Sequence, residues 1–475
     1  MVYNEVAPVI DWLIGTERRQ RVDFYVVAEG DDEGEEDDAR NKTKLLKYLD
    51  DTNKASFERS QAAEDAFKAG VGWLEVGLRG DKSGVKVYVG AESWRNILWD
   101  SQGSRKLDIT DARYIFRVKV VDLDVAIALS PKHQAELEAV AQEGDDTSLF
   151  REFLGGLGLI QGLDAFGGIE STDDYLTSQA CDLFNPRKRV MLLECWSREP
   201  VRNEGGVDGL GDPLTFKIRC SIMTERDTLI EAWSPFEHDR FPFIPVWGYR
   251  KKSTNLPYSP TVRLMGPQDG VNHRMARSLF EASANQVEIE ASAIDNEIMT
   301  IEEIRDELND PAGVAVYKDG ALSGNRVRKR ENFNAAQLQL VLAEKDRASI
   351  RSTVGTEDRG TDTSSLSGKA RLVKADQTSI GTAQLFDNLL LARQLEGEMT
   401  LSVAEQYMVQ PLTIRVAGEQ GRYERVRINQ PQADGGYQND ITARRAHFVV
   451  GEQAWKQSYA ESAFESLMQV MTQLA

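Results

Sequence analysis

The sequence predicts an α+β fold, with helices and antiparallel strands in separate stretches of a 475-residue chain. Three observations carry this. Residues 366–408 run without proline, and from Leu385 the apolar positions Leu389, Ala392, Met399, Val403 and Tyr407 recur at spacings of mostly three or four, or a sum of the two, the stripe of a long amphipathic helix. Residues 189–198, 214–224 and 228–233 alternate like strands of one antiparallel sheet. A compact α/β island, residues 286–333, is inserted between two helical stretches and is expected to project from the main body on them.

In chain order, residues 3–15 read as a short helix with Val6, Ile10 and Leu13 on one side, and Pro8 falls in its first turns, where proline is tolerated. Residues 22–28 are strand-like. The acidic run 29–38, EGDDEGEEDD, lacks the residue order of a calcium loop and reads as a solvated loop. Helical patterns follow at 39–49 and 56–69, closed by Gly70 and Gly72, and then a hairpin at 73–79 and 85–89. Residues 113–121 are a strand; 132–142 and 148–154 are helical. Five prolines from Pro235 to Pro260 mark a boundary, beyond which Val262, Leu264, Met265, Val271, Met275, Leu279 and Ala282 indicate a helix. Within the island, 301–308 is a short acidic helix, and 314–318 and 325–330 are strand candidates. Leu338, Val341, Leu342, Lys345 and Ile350 mark a helix over 334–354. A loop at 355–365, GTEDRGTDTSS, precedes the long helix. After Pro411, strands at 412–417 and 423–428 pair, 446–450 is a third strand, and 455–474 is a final helix.

Composition narrows the function. The net charge of −19 argues against a protein that grips nucleic acid, because tight binders cluster lysine and arginine on phosphates. It leaves room for one past which DNA must slide. No apolar run reaches the roughly 18 residues that cross a bilayer, and the first residues, MVYNEVAPVIDWLIGTERR, lack the features of a secretory signal. Three scattered cysteines, Cys181, Cys195 and Cys220, fit a reducing cytoplasm, and the four dispersed histidines suggest no metal centre, so no metal and no cofactor are expected.

The catalytic motifs fail one by one. The run 155–168, GGLGLIQGLDAFGG, has Gln161 where a dinucleotide fingerprint needs glycine. Ser367, Gly368 and Lys369 resemble the end of a phosphate loop, but Thr363 and Ala370 break that pattern; a capping serine explains them. Glu344, Lys345 and Asp346 could be pictured in a nuclease, yet they sit in helical sequence as a solvated face would. No catalytic residue is assigned. The basic cluster Arg326, Arg328, Lys329 and Arg330 is either a strand edge protected by charge or a docking surface for an acidic partner or DNA.

Residues 366–408, LSGKARLVKADQTSIGTAQLFDNLLLARQLEGEMTLSVAEQYM, followed by the LTIRV and RVRIN strands, resemble the portal proteins of tailed double-stranded DNA bacteriophages of the short-tailed type. That family similarly has a Ser-Gly-x-Ala start, a Phe-Asp-Asn-Leu core and an Ile-Asn ending. NILWDSQGSRKLDITDARYIF is similar to the family's Asp-rich segment, and LMGPQDGVNHRMARSLF to its helix with Gln-Asp and Asn. The family usually has a longer helical crown and more N-terminal sequence, from which this chain departs.

The resemblance implies a portal fold: a wing (residues 1–258 and 366–450), two stem helices (259–285 and 334–354), a clip (286–333), a tunnel loop (355–365) and the start of a crown helix (451–475). It implies a ring of twelve at one capsid vertex of the virion, assembled in the host cytoplasm, not an enzyme, through which double-stranded DNA is packaged and ejected. Its implied partners are terminase, capsid and scaffolding proteins and a tail adaptor, with no membrane. Twenty helical residues span about 30 Å, enough to line a stretch of channel, and twelve copies carry about −230 of charge, weakly adhesive to phosphate. Lys345, Arg347, Arg351 and Arg359 are expected to make transient phosphate contacts, with Thr361 and Ser364 in the tunnel loop; Arg326, Arg328, Lys329 and Arg330 are assigned to the motor or tail adaptor. The alternatives are a metal-dependent nucleic-acid hydrolase, which needs converging carboxylates, and a capsid scaffolding or shell protein.

Overall fold

The computed structural model describes residues 3–19, 23–28, 33–81, 84–143, 188–201, 215–224, 226–283, 287–295, 297–309, 314–324, 326–329, 333–352, 368–417, 423–432, 437–442 and 446–450. The expected helices at 148–154 and 455–474, the glycine run 155–168 and the loop 355–365 lie outside them. The chain forms two compact units, Met1–Leu13 with Thr261–Thr382, and Ile14–Pro260 with Ala383–Ala475. One division falls at Pro260, where the proline-rich stretch ends.

The larger unit is built on two antiparallel sheets. The first has the strand order Phe243–Trp247, Val71–Asp81, Gly84–Glu92. The second runs Ile97–Trp99, Tyr114–Asp122, Lys188–Val201, Thr215–Met223, Thr228–Trp233, with Gln142–Glu143 also paired to Lys188–Val201. The three alternating segments read from the sequence are thus neighbours in one sheet. Sequence reading missed the strand Phe243–Trp247 because Pro245 lies inside it; as an edge strand it has a side that needs no amide donor, and all five of its residues are buried.

Two expectations are corrected. The acidic run is not a loop throughout, because the helix Glu33–Asn53 begins inside it. Carboxylates in a first turn complement the positive end of the helix dipole, so the charge that suggested solvent instead favours the helix start. In the island, residues 314–318 form no strand; the ladder there joins Val287–Ile289 to Val327–Lys329. The strand Ala446–Val450 exists, but it pairs with Phe24–Ala28, while Leu412–Ala417 and Tyr423–Ile428 pair with each other.

The main core forms where residues 383–407 of the helix Gly368–Tyr407 meet the rest of this unit. Ala392, Leu395, Met399, Leu401, Val403 and Ala404 pack with Leu45, Leu46 and Leu49 of one helix, Leu74, Val76, Val87, Val89, Ile244 and Val246 of the three-stranded sheet, and Ile414, Val426 and Phe448 of later strands. Most of the expected apolar stripe is buried, with Leu389 and Tyr407 partly so, and the flank beside it is buried as well, at Arg393, Glu396 and Thr400. Charged groups survive there only as pairs. Asp50 and Arg59 form a two-pronged contact at 2.7 and 3.1 Å. Arg59 also reaches Glu396 at 2.9 Å, and Arg393 bridges Asp50 at 3.2 Å and Glu396 at 3.0 Å. Two cations and two carboxylates close a neutral ring. Burial pushes the Asp50 carboxyl up, but the Arg59 hydrogen bond and the charges of Arg393 and Arg59 outweigh it and hold the group below its ordinary range. Lys42, itself buried, pairs with Glu405 two residues before Tyr407.

Gly397 lies in this helix where a β-carbon would meet the Phe448 ring tip at 2.1 Å. The ring stacks obliquely on Phe24 at 5.1 Å, and the Arg393 guanidinium covers Phe24 at 4.5 Å. Alanine gains about 1 kcal/mol of helix propensity over glycine, whereas displacing a packed ring costs about 1–3 kcal/mol. Gly397→Ala is expected to lower the Tm; an unchanged or raised Tm would show that Phe448 moves aside freely.

The two sheets are tied by Arg117, buried between Glu75, Glu92 and Glu194 at 2.6, 3.5 and 2.5 Å. Burial raises the pKa of Glu75 despite the opposing charge and hydrogen bond of Arg117. A carboxyl whose folded pKa exceeds its unfolded one contributes stability that is fully present below its ordinary value of about 4.3 and is lost as pH rises through the folded value. Glu75→Gln keeps the shape and removes the titration. The Tm of the parent relative to this variant should therefore fall as pH rises above about 4, and parallel Tm profiles would contradict the assignment.

Candidate nucleic-acid and partner interface

The smaller unit centres on two helices, Thr261–Ser283 and Phe333–Ser352, that pack side by side. Leu264, Val271 and Ile350 share a buried cluster with Val9, against which Tyr3, Val6, Trp12 and Met275 pack. Gly270 has no side chain where the Asp346 carboxylate approaches, 2.5 Å from the place of a β-carbon, and Arg274 meets Asp346 at 2.9 Å. Asp346 and Glu344 therefore serve different cations, since Glu344 holds Arg347 at 2.6 Å. They do not converge as a metal-binding pair would.

The chain start straps this helical pair. Asn272 Oδ1 accepts the Tyr3 amide at 2.9 Å, Gln268 Oε1 accepts the Glu5 amide at 3.0 Å, and Gln268 Nε2 donates back to the Tyr3 carbonyl. Residues four apart on a helix share a face, so Gln268 and Asn272 offer the extended chain a set of donors and acceptors much as a neighbouring strand does. From the other helix, Arg347 pairs with Glu5 at 3.2 Å and lies over the Tyr3 ring at 5.7 Å. Sequence reading noted the Gln-Asp and Asn of this helix without a role for them; their partners are some 265 residues away.

Other segments that carried the resemblance also anchor backbone. In the Phe-Asp-Asn-Leu core, Asn388 is buried and donates to the Gly248 carbonyl at 2.8 Å. Asn429, at the Ile-Asn ending, takes a left-handed backbone with φ of 53°, donates to the Met408 carbonyl at 2.6 Å and accepts the Ile441 amide at 3.1 Å. In the Asp-rich segment, Asp111 accepts from the Arg105 and Lys106 amides at 2.6 and 3.1 Å and from Ser104 Oγ at 2.8 Å. Burial raises this carboxyl, but the backbone bonds and the Ser104 hydroxyl together outweigh it and keep its pKa low. Arg250, stacked on Trp247 at 4.5 Å, caps the loop by donating to the Ser104 and Lys106 carbonyls.

The expected contact residues are distributed unevenly. Lys345 is exposed and has no ion pair among the described residues. Arg347 is mostly covered and already neutralised by Glu5 and Glu344. The backbone of Arg351 ends the second helix; its side chain, and all of Arg359, Thr361 and Ser364, lie outside the description. Arg326 and Arg328 are exposed, and in the ladder Arg328 stands opposite Glu288 while Lys329 stands opposite Val287. Arg330 is outside the described residues. No described helix is long and apolar enough to cross a membrane.

Comparison with curated proteins returned no match. The family model described as phage P22-like portal protein matches residues 1–475, so the match spans every element described above. The chain belongs to the phage P22-like portal protein family.

Proposed function

We propose that this portal protein assembles as a ring of twelve at one vertex of the capsid, that double-stranded DNA passes through its bore during packaging and ejection, and that terminase and later the tail adaptor dock on it. Portal proteins are structural components of the virion and not enzymes, which favours this reading over a hydrolase. The observation that carries it is where apolar surface is left uncovered. Twelve of the twenty-three exposed large hydrophobic side chains among the described residues lie between Val262 and Val341, in the smaller of the two units. Val262 and Met265 share a face of one helix, and Leu338 and Val341 a face of the other. In the island, Ile298, Ile301, Val314 and Leu322 are exposed as well, each with more than 60 % of its area open. Exposed apolar side chains concentrated in one unit are ones that an association would bury, and a neighbouring copy of the same chain would cover them in a closed ring.

In this reading the helical pair is the stem, the island is the clip, residues 355–365 are the tunnel loop, and the two sheets with the long helix are the wing. Lys345, one turn past Val341, is the leading phosphate contact. Arg347 would contribute only on leaving its carboxylates, and Arg351, Arg359, Thr361 and Ser364 continue the path toward the loop. Contacts of this kind stay weak because the chain is acidic overall, so a duplex slides past them. Arg326, Arg328, Lys329 and Arg330 offer the motor or adaptor a basic surface.

Leu338→Asp combined with Val341→Asp places charge on the exposed face without touching the buried Ile350 side. The expected result is a particle of monomer mass with an unchanged far-ultraviolet circular dichroism spectrum, where the parent gives a particle of ring mass. Rings formed equally well by the double variant would contradict the placement of the interface.

A further inference from the structure

One group of side chains outside these surfaces has the composition of a metal site. His133, Glu136 and Asp227 each bring a ligand atom to within 4.8 Å of the others. They come from two segments some ninety residues apart. His133 ends a short 3-10 turn, Pro131–His133, and Glu136 sits in the first turn of the following helix, Gln134–Val140. The spacing of three puts both on one side. Asp227 comes from the turn between the strands Thr215–Met223 and Thr228–Trp233.

We propose that these three residues bind a divalent first-row transition ion, with zinc the best match, and that the ion pins the 130–140 segment to this turn of the six-stranded sheet. The frame that holds the ligands exists without the ion. Leu137, next to Glu136, and Leu229, two residues after Asp227, are buried in the same cluster with Ala126, Val190 and Leu192. The turn is closed by Thr224, whose amide donates to the Asp227 carbonyl at 2.8 Å and whose hydroxyl accepts the Asp227 amide at 3.2 Å. Individual ligands are oriented as well. Ser130 Oγ lies 2.8 Å from His133 Nδ1, which leaves Nε2 for a metal and is the kind of outer contact that fixes a ligating imidazole. The Thr228 amide donates to Asp227 Oδ1 at 2.8 Å, leaving Oδ2.

The donor set selects the ion. Imidazole nitrogen with carboxylate oxygens suits zinc and its first-row neighbours, whereas magnesium and calcium prefer all-oxygen shells. The two carboxylates are exposed and His133 is half-buried, so water completes the coordination. With two carboxylates and a neutral imidazole, a divalent ion leaves the site uncharged.

The test is isothermal titration of Zn2+ into the full chain after chelator treatment and dialysis, alongside His133→Ala and Asp227→Asn. The parent should take up one tight equivalent per chain and gain Tm on zinc addition. Both variants should lose at least about tenfold in affinity together with the Tm gain, while matching the Tm of the zinc-free parent, which shows that they fold. Mg2+ should give no shift. Zinc uptake and a Tm gain undiminished in His133→Ala, or no saturable uptake by the parent, would overturn the proposal.

Discussion

Over residues 382–407 the long helix buries charged groups alongside its apolar stripe, and the main core depends on meeting the electrostatic cost of that burial. Arg393 and Glu396 are buried, and Asp50 and Arg59 offset their charges by completing a neutral ring within hydrogen-bonding distance. Removing one member of such a buried set leaves an uncompensated charge and costs about 3–5 kcal/mol. The ring fixes which helix faces which: Asp50 and Arg59 flank the break between Glu33–Asn53 and Ala55–Ala69, and both read the long helix. Apolar contacts alone would tolerate sliding by a turn, and the charge pairs would not.

Helical continuity also links the two units along the chain. The long helix passes from one to the other at Thr382, and the helix Ala7–Arg19 does so at Leu13. Within the smaller unit, the helical pair is held by its own buried cluster and by the strap at Tyr3 to Glu5. The strap occupies Arg347, a residue that a count of positive charges would have offered to DNA. Ion pairing inside the subunit thus reduces the cations available to phosphate, leaving Lys345 as the exposed one among those whose side chains are described. In the proposed channel this is the favourable direction, because each retained phosphate contact would slow a passing duplex.

Much of this fold was legible in the sequence. The hairpin at 73–89, the alternating strands from 189 to 233, the helices on either side of the island and the long helix follow from periodicity, because each buries one regular face. What escaped were features set by distant partners. Pro245 disguised a strand whose burial comes from both its faces. Residues 314–318 alternate like a strand but find no ladder, since the island pairs Val287–Ile289 with Val327–Lys329. The acidic stretch begins a helix whose stabilisation comes from its dipole and from the core it reaches at Leu45. The site was less legible than the fold. Nothing local showed that Arg347 would be claimed by Glu5, or that Gln268 and Asn272 would hold the chain start. His133 and Asp227 likewise lie too far apart in sequence for any spacing rule to join them.

The claim on which the functional reading rests is that the helical pairs of neighbouring copies meet side by side around an open bore. Electron microscopy of the purified full chain tests it most directly. The expected image is a closed ring with the helices Thr261–Ser283 and Phe333–Ser352 of every copy surrounding a channel wide enough for a DNA duplex. Chains that stay monomeric under every assembly condition, or rings in which these helices lie on the outer rim, would contradict it.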